Sequence, residues 1–222
     1  MERIYLEASG PLNAANSPWT KLVQGLVFGV ALTVVVFAGA ELSTGNMMTM
    51  LQGVLVHRRG AGIAAGVILG SFVGNLVGSV MFAWLIHSGG VLTAGGTPGH
   101  AAPATTLLAG VIKAKTAESA GALFFRAART KSDGAKLALI FWCLLAFVSS
   151  GFEHVVANVT TFSLGLLEGV PAATLGAFGK NLLFVGLGNL VGGGLLVGAA
   201  YSLVGRRARM KAPAVEPAPA GV

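Results

Sequence analysis

Gly151-Phe152-Glu153-His154-Val155-Val156-Ala157-Asn158 sets a carboxylate, an imidazole and a carboxamide within one short stretch of an otherwise apolar run. The same skeleton occurs earlier in the chain. Gly39-Ala40-Glu41 is followed by Asn46 and Thr49 at the offsets that separate Gly151-Phe152-Glu153 from Asn158 and Thr161. A second match lies downstream in each half, where Gly74-Asn75-Leu76-Val77-Gly78 recurs as Gly188-Asn189-Leu190-Val191-Gly192. Hydrophobic bias alone does not produce such spacing, so the chain reads as two related halves.

The solvent of those halves is lipid. Of the 222 residues, 54% are hydrophobic and 10% charged, and the mean hydropathy is +0.77, outside the range of soluble globular domains. Leu22 to Ala40, Ala61 to Ile86, Leu137 to Phe152 and Asn181 to Gly205 contain no charged residue. Most of these stretches reach the roughly 20 residues that a spanning helix needs. Residues 1–20 form a polar N-terminal segment without the apolar core of a signal peptide, residues 21–205 a transmembrane channel domain, and residues 206–222 a Pro/Ala-rich tail expected to be disordered. Cys143 is the sole cysteine and lies inside a span, which makes it a packing residue and excludes an intrachain disulfide.

A net charge of +7 invites a nucleic-acid reading, but the basic residues sit between and after the apolar runs instead of covering one surface. His57-Arg58-Arg59, then Arg126, Arg129, Lys131 and Lys136, then Arg206, Arg207, Arg209 and Lys211 alternate with loops nearly free of Lys and Arg. The positive-inside rule makes the basic loops and the C-terminus cytoplasmic and the 88–112 loop external, for a multi-pass protein of the cell membrane. In that frame the first motif segment runs inward and the second outward, an inverted repeat typical of transporters and channels.

A carboxylate at the bilayer centre costs ~3 kcal/mol or more, so Glu41 and Glu153 must face protein or water. After Glu41 only the run of about ten residues from Met47 to Val56 remains before the basic loop, too short to span. The economical reading is a broken helix, with an irregular turn from Glu41 to Asn46 and a half-helix after it. The second copy breaks likewise at Gly151 to His154. Irregular backbone at that depth is tolerated only where it is buried or lines a cavity, and the half-helix N-termini present N–H groups and positive dipole ends that favour anions.

Glu41 and Glu153 are accordingly expected to bond backbone N–H groups freed at the breaks. Asn46 and Asn158 are expected either to cap the half-helices or to contact a solute. His154 differs, because its counterpart is Leu42, so the shared architecture does not require an imidazole. Burial disfavours a charged imidazole while an approaching anion favours it, so this residue suits proton exchange or transient anion binding. His57, His87 and His100 border loops and read as solvated. The chain shows no metal-ligand spacing, nucleophile elbow or phosphate loop, implies no cofactor and does not read as an enzyme. Gly192-Gly193-Gly194 reads as close helix packing.

At Ala40-Glu41-Leu42-Ser43-Thr44-Gly45-Asn46, at the Gly151–Asn158 stretch and at Gly188-Asn189-Leu190-Val191-Gly192-Gly193-Gly194, the sequence resembles the formate/nitrite transporter family over roughly residues 20 to 205. The resemblance implies an all-α, aquaporin-like inverted repeat with two broken helices, six membrane helices per protomer and a homopentamer. It also implies a pore in each protomer for formate, nitrite, hydrosulfide or a similar anion. Carried over by position, His154 matches the central pore histidine and Thr44 the threonine of the first break. Phe28 and Phe147 match the outer constriction, and Leu32 and Leu42 the inner one. Lys115 matches a lysine near the external start of the fourth helix, where it would attract anions. Asn158 matches a polar neighbour of the histidine. Ser43 stands where the family frequently has Phe, which would make the inner slit wider or less apolar.

Two further departures follow from the same resemblance. The family's first helix precedes the segment that starts here at Leu22, and the fourth helix is short, with ten residues between Lys115 and Arg126. This copy is therefore expected to lack the first helix and part of the fourth. Beside the anion pore stand two other readings: a truncated, non-transporting membrane subunit, and an aquaporin-like neutral-solute pore, against which the absence of Asn-Pro-Ala at either break argues.

Overall fold

A computed structural model describes residues 10–12, 15, 17–37, 42–123, 145, 148 and 152–203. Among them all extended regular structure is helical, with one isolated bridge between Thr97 and His100. Beyond the helical residues 10–12, α1 (Thr20–Phe37) begins where Thr20 Oγ1 donates to Ser17 O at 2.8 Å. Its 18 residues give a rod of about 27 Å. After the first break comes α2 (Ser43–Leu55), 13 residues and so about 20 Å long, which is a half-span.

The helix resumes earlier than the sequence predicts. The irregular turn was expected to run to Asn46, yet Leu42 already holds the N-cap position with extended backbone (φ −95°, ψ 129°). Asn46 N–H donates to Leu42 O at 3.1 Å, which places Asn46 within the helix instead of at its cap. At the other end of α2 the chain reverses through His57, whose φ of 54° is left-handed. It then enters α3 (Ala61–Ser88), 28 residues long.

A loop turning at Gly90, Gly95 and Gly99, all at positive φ, leads to α4 (Pro103–Ala117), which carries proline in its first turn, where no N–H is lost from the helical ladder. Past the second break, α5 (Val155–Leu167) is another 13-residue half-helix. Gly169, at φ 67°, turns the chain towards α6 (Leu175–Asn189). That helix continues through a π-helical stretch, Leu190–Val197, to make a 29-residue rod ending at Leu203. α3 and this last rod are the described helices long and apolar enough to cross a bilayer.

Packing sorts these elements into two groups. Leu107, Leu108 and Ile112 of α4 are buried against Phe162 and Leu164 of α5 and against Ala83 and Ile86 of α3. Phe162 also stacks on Phe178 of α6, ring centroids 5.7 Å apart. α2 packs instead on α3 and on the π-helical stretch. There the glycine run does what its composition predicts: a Cβ at Gly194 would collide with Leu51 Cδ1 and lie 3.3 Å from Met47 O. The 137–152 apolar stretch, the basic 126–136 loop and residues 1–9 and 204–222 fall wholly or largely outside the described residues. The expected losses in the first and fourth helices fall partly there as well.

Candidate functional site

The two half-helices meet at their N-termini. His154 holds the N-cap position of α5, and its Nε2 lies 3.1 Å from Thr44 Oγ1 in the first turn of α2. The other ring nitrogen, Nδ1, accepts from Ala157 N–H at 3.4 Å. Accepting there requires a bare Nδ1, so the neutral ring carries its proton on Nε2 and donates it to Thr44. Thr44, with its oxygen receiving that bond, keeps its own O–H as a donor. Of the two roles open to Asn158, capping falls to the histidine instead, because extended backbone at the N-cap position directs the His154 side chain back over the first turn.

Glu153, 4% exposed, is held differently from the expectation. Its Oε2 accepts from Lys115 Nζ at 2.6 Å and from Asn158 Nδ2 at 2.6 Å, so side chains, and not freed backbone N–H groups, compensate the carboxylate. Asn158 Nδ2 also donates to Asn181 Oδ1 at 2.8 Å, which commits its amide donors to this cluster. The freed backbone is served by Asn189, whose Oδ1 accepts from Val155 N–H at 2.9 Å and whose Nδ2 donates to Glu153 O at 3.1 Å. Asn189 and Asn181 were not singled out as site residues by sequence reasoning. The repeated Gly-Asn motif was the signal for Asn189, since a carboxamide recurring in an apolar span needs a backbone partner.

Lys115 lies in the last turn of α4, ahead of the helical residues that resume at Ala120, with its side chain 16% exposed and paired to Glu153 beside the histidine. Pairing is what makes an ammonium tolerable there, since an isolated buried charge is far more costly than a paired one. Lys113, two residues earlier, is exposed. His87, read as solvated, reaches Glu168 Oε1 from its Nδ1 at 3.0 Å and ties the end of α3 to the end of α5.

Among the described residues, fewer side-chain bonds are made at the start of α2. α2 starts with no side-chain cap. Ser43, wholly buried, has a hydroxyl without any hydrogen-bond partner, a condition that costs about 1–3 kcal/mol. Of the expected constriction residues, Phe28 lies half-buried on α1 and Leu42 half-buried at the start of α2. Leu32 belongs to α1, but its side chain, together with Phe147 and Glu41, lies outside the described residues. No grouping of His, Cys, Asp and Glu among the described residues could hold a metal ion.

The broken helices, the buried carboxylate and the paired helix starts have close relatives. The profile of the formate/nitrite transporter family matches residues 4–203. The nitrite transporter NirC of Salmonella typhimurium is 38% identical over 208 residues, covering 87% of this chain and 74% of that protein. A solved structure described as an FNT family ion channel superposes with a TM-score of 0.74 at 35% identity, covering 92% of this chain and 87% of the other. A pentameric formate channel with formate bound shares the fold at a TM-score of 0.68 and 23% identity, covering 92% and 94%. A match over nearly the whole chain, together with an all-helical fold shared with a channel of that family, settles the assignment: this integral membrane protein belongs to the formate/nitrite transporter family.

Proposed function

We propose that each protomer conducts small monovalent anions, such as formate, nitrite or hydrosulfide, past His154, and that the protomers assemble as a homopentamer in the cell membrane. The observation that carries this reading is the 3.1 Å contact between His154 Nε2 and Thr44 Oγ1, which brings the starts of both half-helices to one point. Two positive dipole ends and two polar hydrogens then converge at a depth where the surrounding wall is apolar. The nitrite transporter and the formate channel among the relatives support the substrate class, and the pentamer of the latter supports the assembly.

Glu153 and Lys115 cancel each other's charge, so the pair leaves the site close to neutral and His154 is the one group there that can change charge as an anion arrives. Protonation at Nδ1 would break the bond from Ala157 N–H. At 3.4 Å that bond is long, so its loss opposes the change only weakly. The negative charge of an arriving anion is what favours an imidazolium there, and the ring returns to its capping form when the anion leaves.

Purified protein in liposomes, assayed for formate, nitrite and hydrosulfide uptake, tests the reading. Saturable or gradient-driven flux of at least one anion, abolished in His154→Ala with the assembly intact, is expected. A stable pentamer that passes none of the three would sink it and leave a non-transporting membrane subunit.

A further inference from the structure

The two half-helix starts that meet at the centre are not equivalent, and this inference rests on the anion-pore reading above. At α5 the first-turn N–H groups are met by the protein itself: Val155 by Asn189 Oδ1 and Ala157 by His154 Nδ1. At α2 the N-cap residue is Leu42, which offers no side-chain acceptor, and the helix begins without a cap. In that same first turn the Ser43 hydroxyl is wholly buried and has no hydrogen-bond partner.

We propose that Ser43 is a specificity-determining residue of the pore, its hydroxyl and that of Thr44 binding a small oxyanion transiently against the open first turn of α2. The other donors near the break are taken. Lys115 is paired with Glu153, and Asn158 donates to Glu153 and Asn181. The amide nitrogen of Asn181 is likewise buried and unpartnered, but it belongs to that same chain of side chains and not to a helix start. Thr44 receives a bond from His154 and so retains its O–H, while Ser43 retains both donor and acceptor capacity. An uncapped helix start supplies N–H groups and a positive end for negative charge. A buried hydroxyl with no partner in the protein gains a full hydrogen bond when an anion arrives, which lowers the barrier at this step.

The number of acceptors discriminates between anions. Formate and nitrite each present two oxygen acceptors, enough to take one bond from Ser43 and another from Thr44. Hydrosulfide presents a single sulfur, a weak acceptor, and gains little from the second hydroxyl.

The experiment is a comparison of wild type, Ser43→Ala and Ser43→Cys in liposomes, under equal gradients of formate, nitrite and hydrosulfide, with the oligomer checked by size. Alanine and cysteine both fit the serine site, and cysteine keeps a weak donor. Ser43→Ala is expected to slow formate and nitrite about tenfold, the loss of one hydrogen bond to a charged group, while leaving hydrosulfide nearly unchanged. Ser43→Cys should fall between. An unchanged ratio of formate to hydrosulfide flux in both variants overturns the inference and leaves the pore reading standing. A wild-type protein silent to all three anions overturns the pore reading and this inference with it.

Discussion

The histidine at the second break has two duties that different substitutions separate. As an N-cap it receives Ala157 N–H, and as a pore group it faces Thr44 across the molecule. Asparagine is among the strongest N-caps and cannot take up a proton. His154→Asn is therefore expected to melt near the wild-type temperature in detergent, yet to lose the pH dependence of flux that a titrating imidazole gives wild type. His154→Ala forfeits the cap as well and should be less stable by ~1 kcal/mol. A pH-dependent flux that survives in His154→Asn would assign the pH response elsewhere. A second residue-level test concerns Lys115. Lys115→Met leaves the Glu153 carboxylate buried with Asn158 as its remaining side-chain donor, a loss of about 3 kcal/mol or more. Adding Glu153→Gln removes the orphaned charge, so the double variant should melt above the single one, a coupling that a double-mutant cycle reads directly.

At the scale of elements, the breaks are held by residues that reach across the sequence. Asn189 joins α6 to the second break and to the helix that follows it, through Glu153 O and Val155 N–H. Asn189→Leu removes both bonds and leaves two buried backbone groups unmet, so a loss of about 2–4 kcal/mol is expected, measured as a lower melting temperature or a dissociated oligomer. Gly194→Val tests the neighbouring contact between α2 and the π-helical stretch. Its side chain would press on Leu51 and Met47 O, and overpacking of this kind costs about 1–3 kcal/mol. The long spans were legible in the sequence because α3 and the rod that ends at Leu203 contain long uncharged runs, 61–86 and 181–203, a property of single windows. The start of α2 was misplaced because Gly45 and Asn46 favour turns locally, whereas the Thr44 contact that accompanies an earlier start lies 110 residues away. The pairing of Lys115 was not legible for a related reason, since its partner Glu153 lies 38 residues further on. His154 was legible because the internal repeat supplied its own control, with leucine at the matching position.

For the whole molecule the decisive property is sidedness. α3 alone carries the chain from the His57 turn to the 89–102 loop in 28 residues, about 42 Å, and many of its large side chains face outward, Leu69 at 64% and Trp84 at 57% exposure. Such a face is stable only against lipid or a neighbouring protomer, so the loops at its two ends lie on opposite sides of the bilayer. Charge then chooses which is which. Arg58 and Arg59 precede α3, while the loop after it holds no Lys or Arg before Lys113, so the former should be retained in the cytoplasm. The tail, with Arg206, Arg207, Arg209 and Lys211, should lie on the same side. With Cys143 replaced by serine, single cysteines at Arg58, Ala94 and Val215 would report this to a membrane-impermeant maleimide applied to intact cells. Ala94→Cys is expected to label from outside, and Arg58→Cys and Val215→Cys only after lysis. Labelling of Val215→Cys in intact cells while Arg58→Cys stays protected would mean that an odd number of crossings separates the 57–59 turn from the tail, which an inverted repeat with two half-helices does not allow.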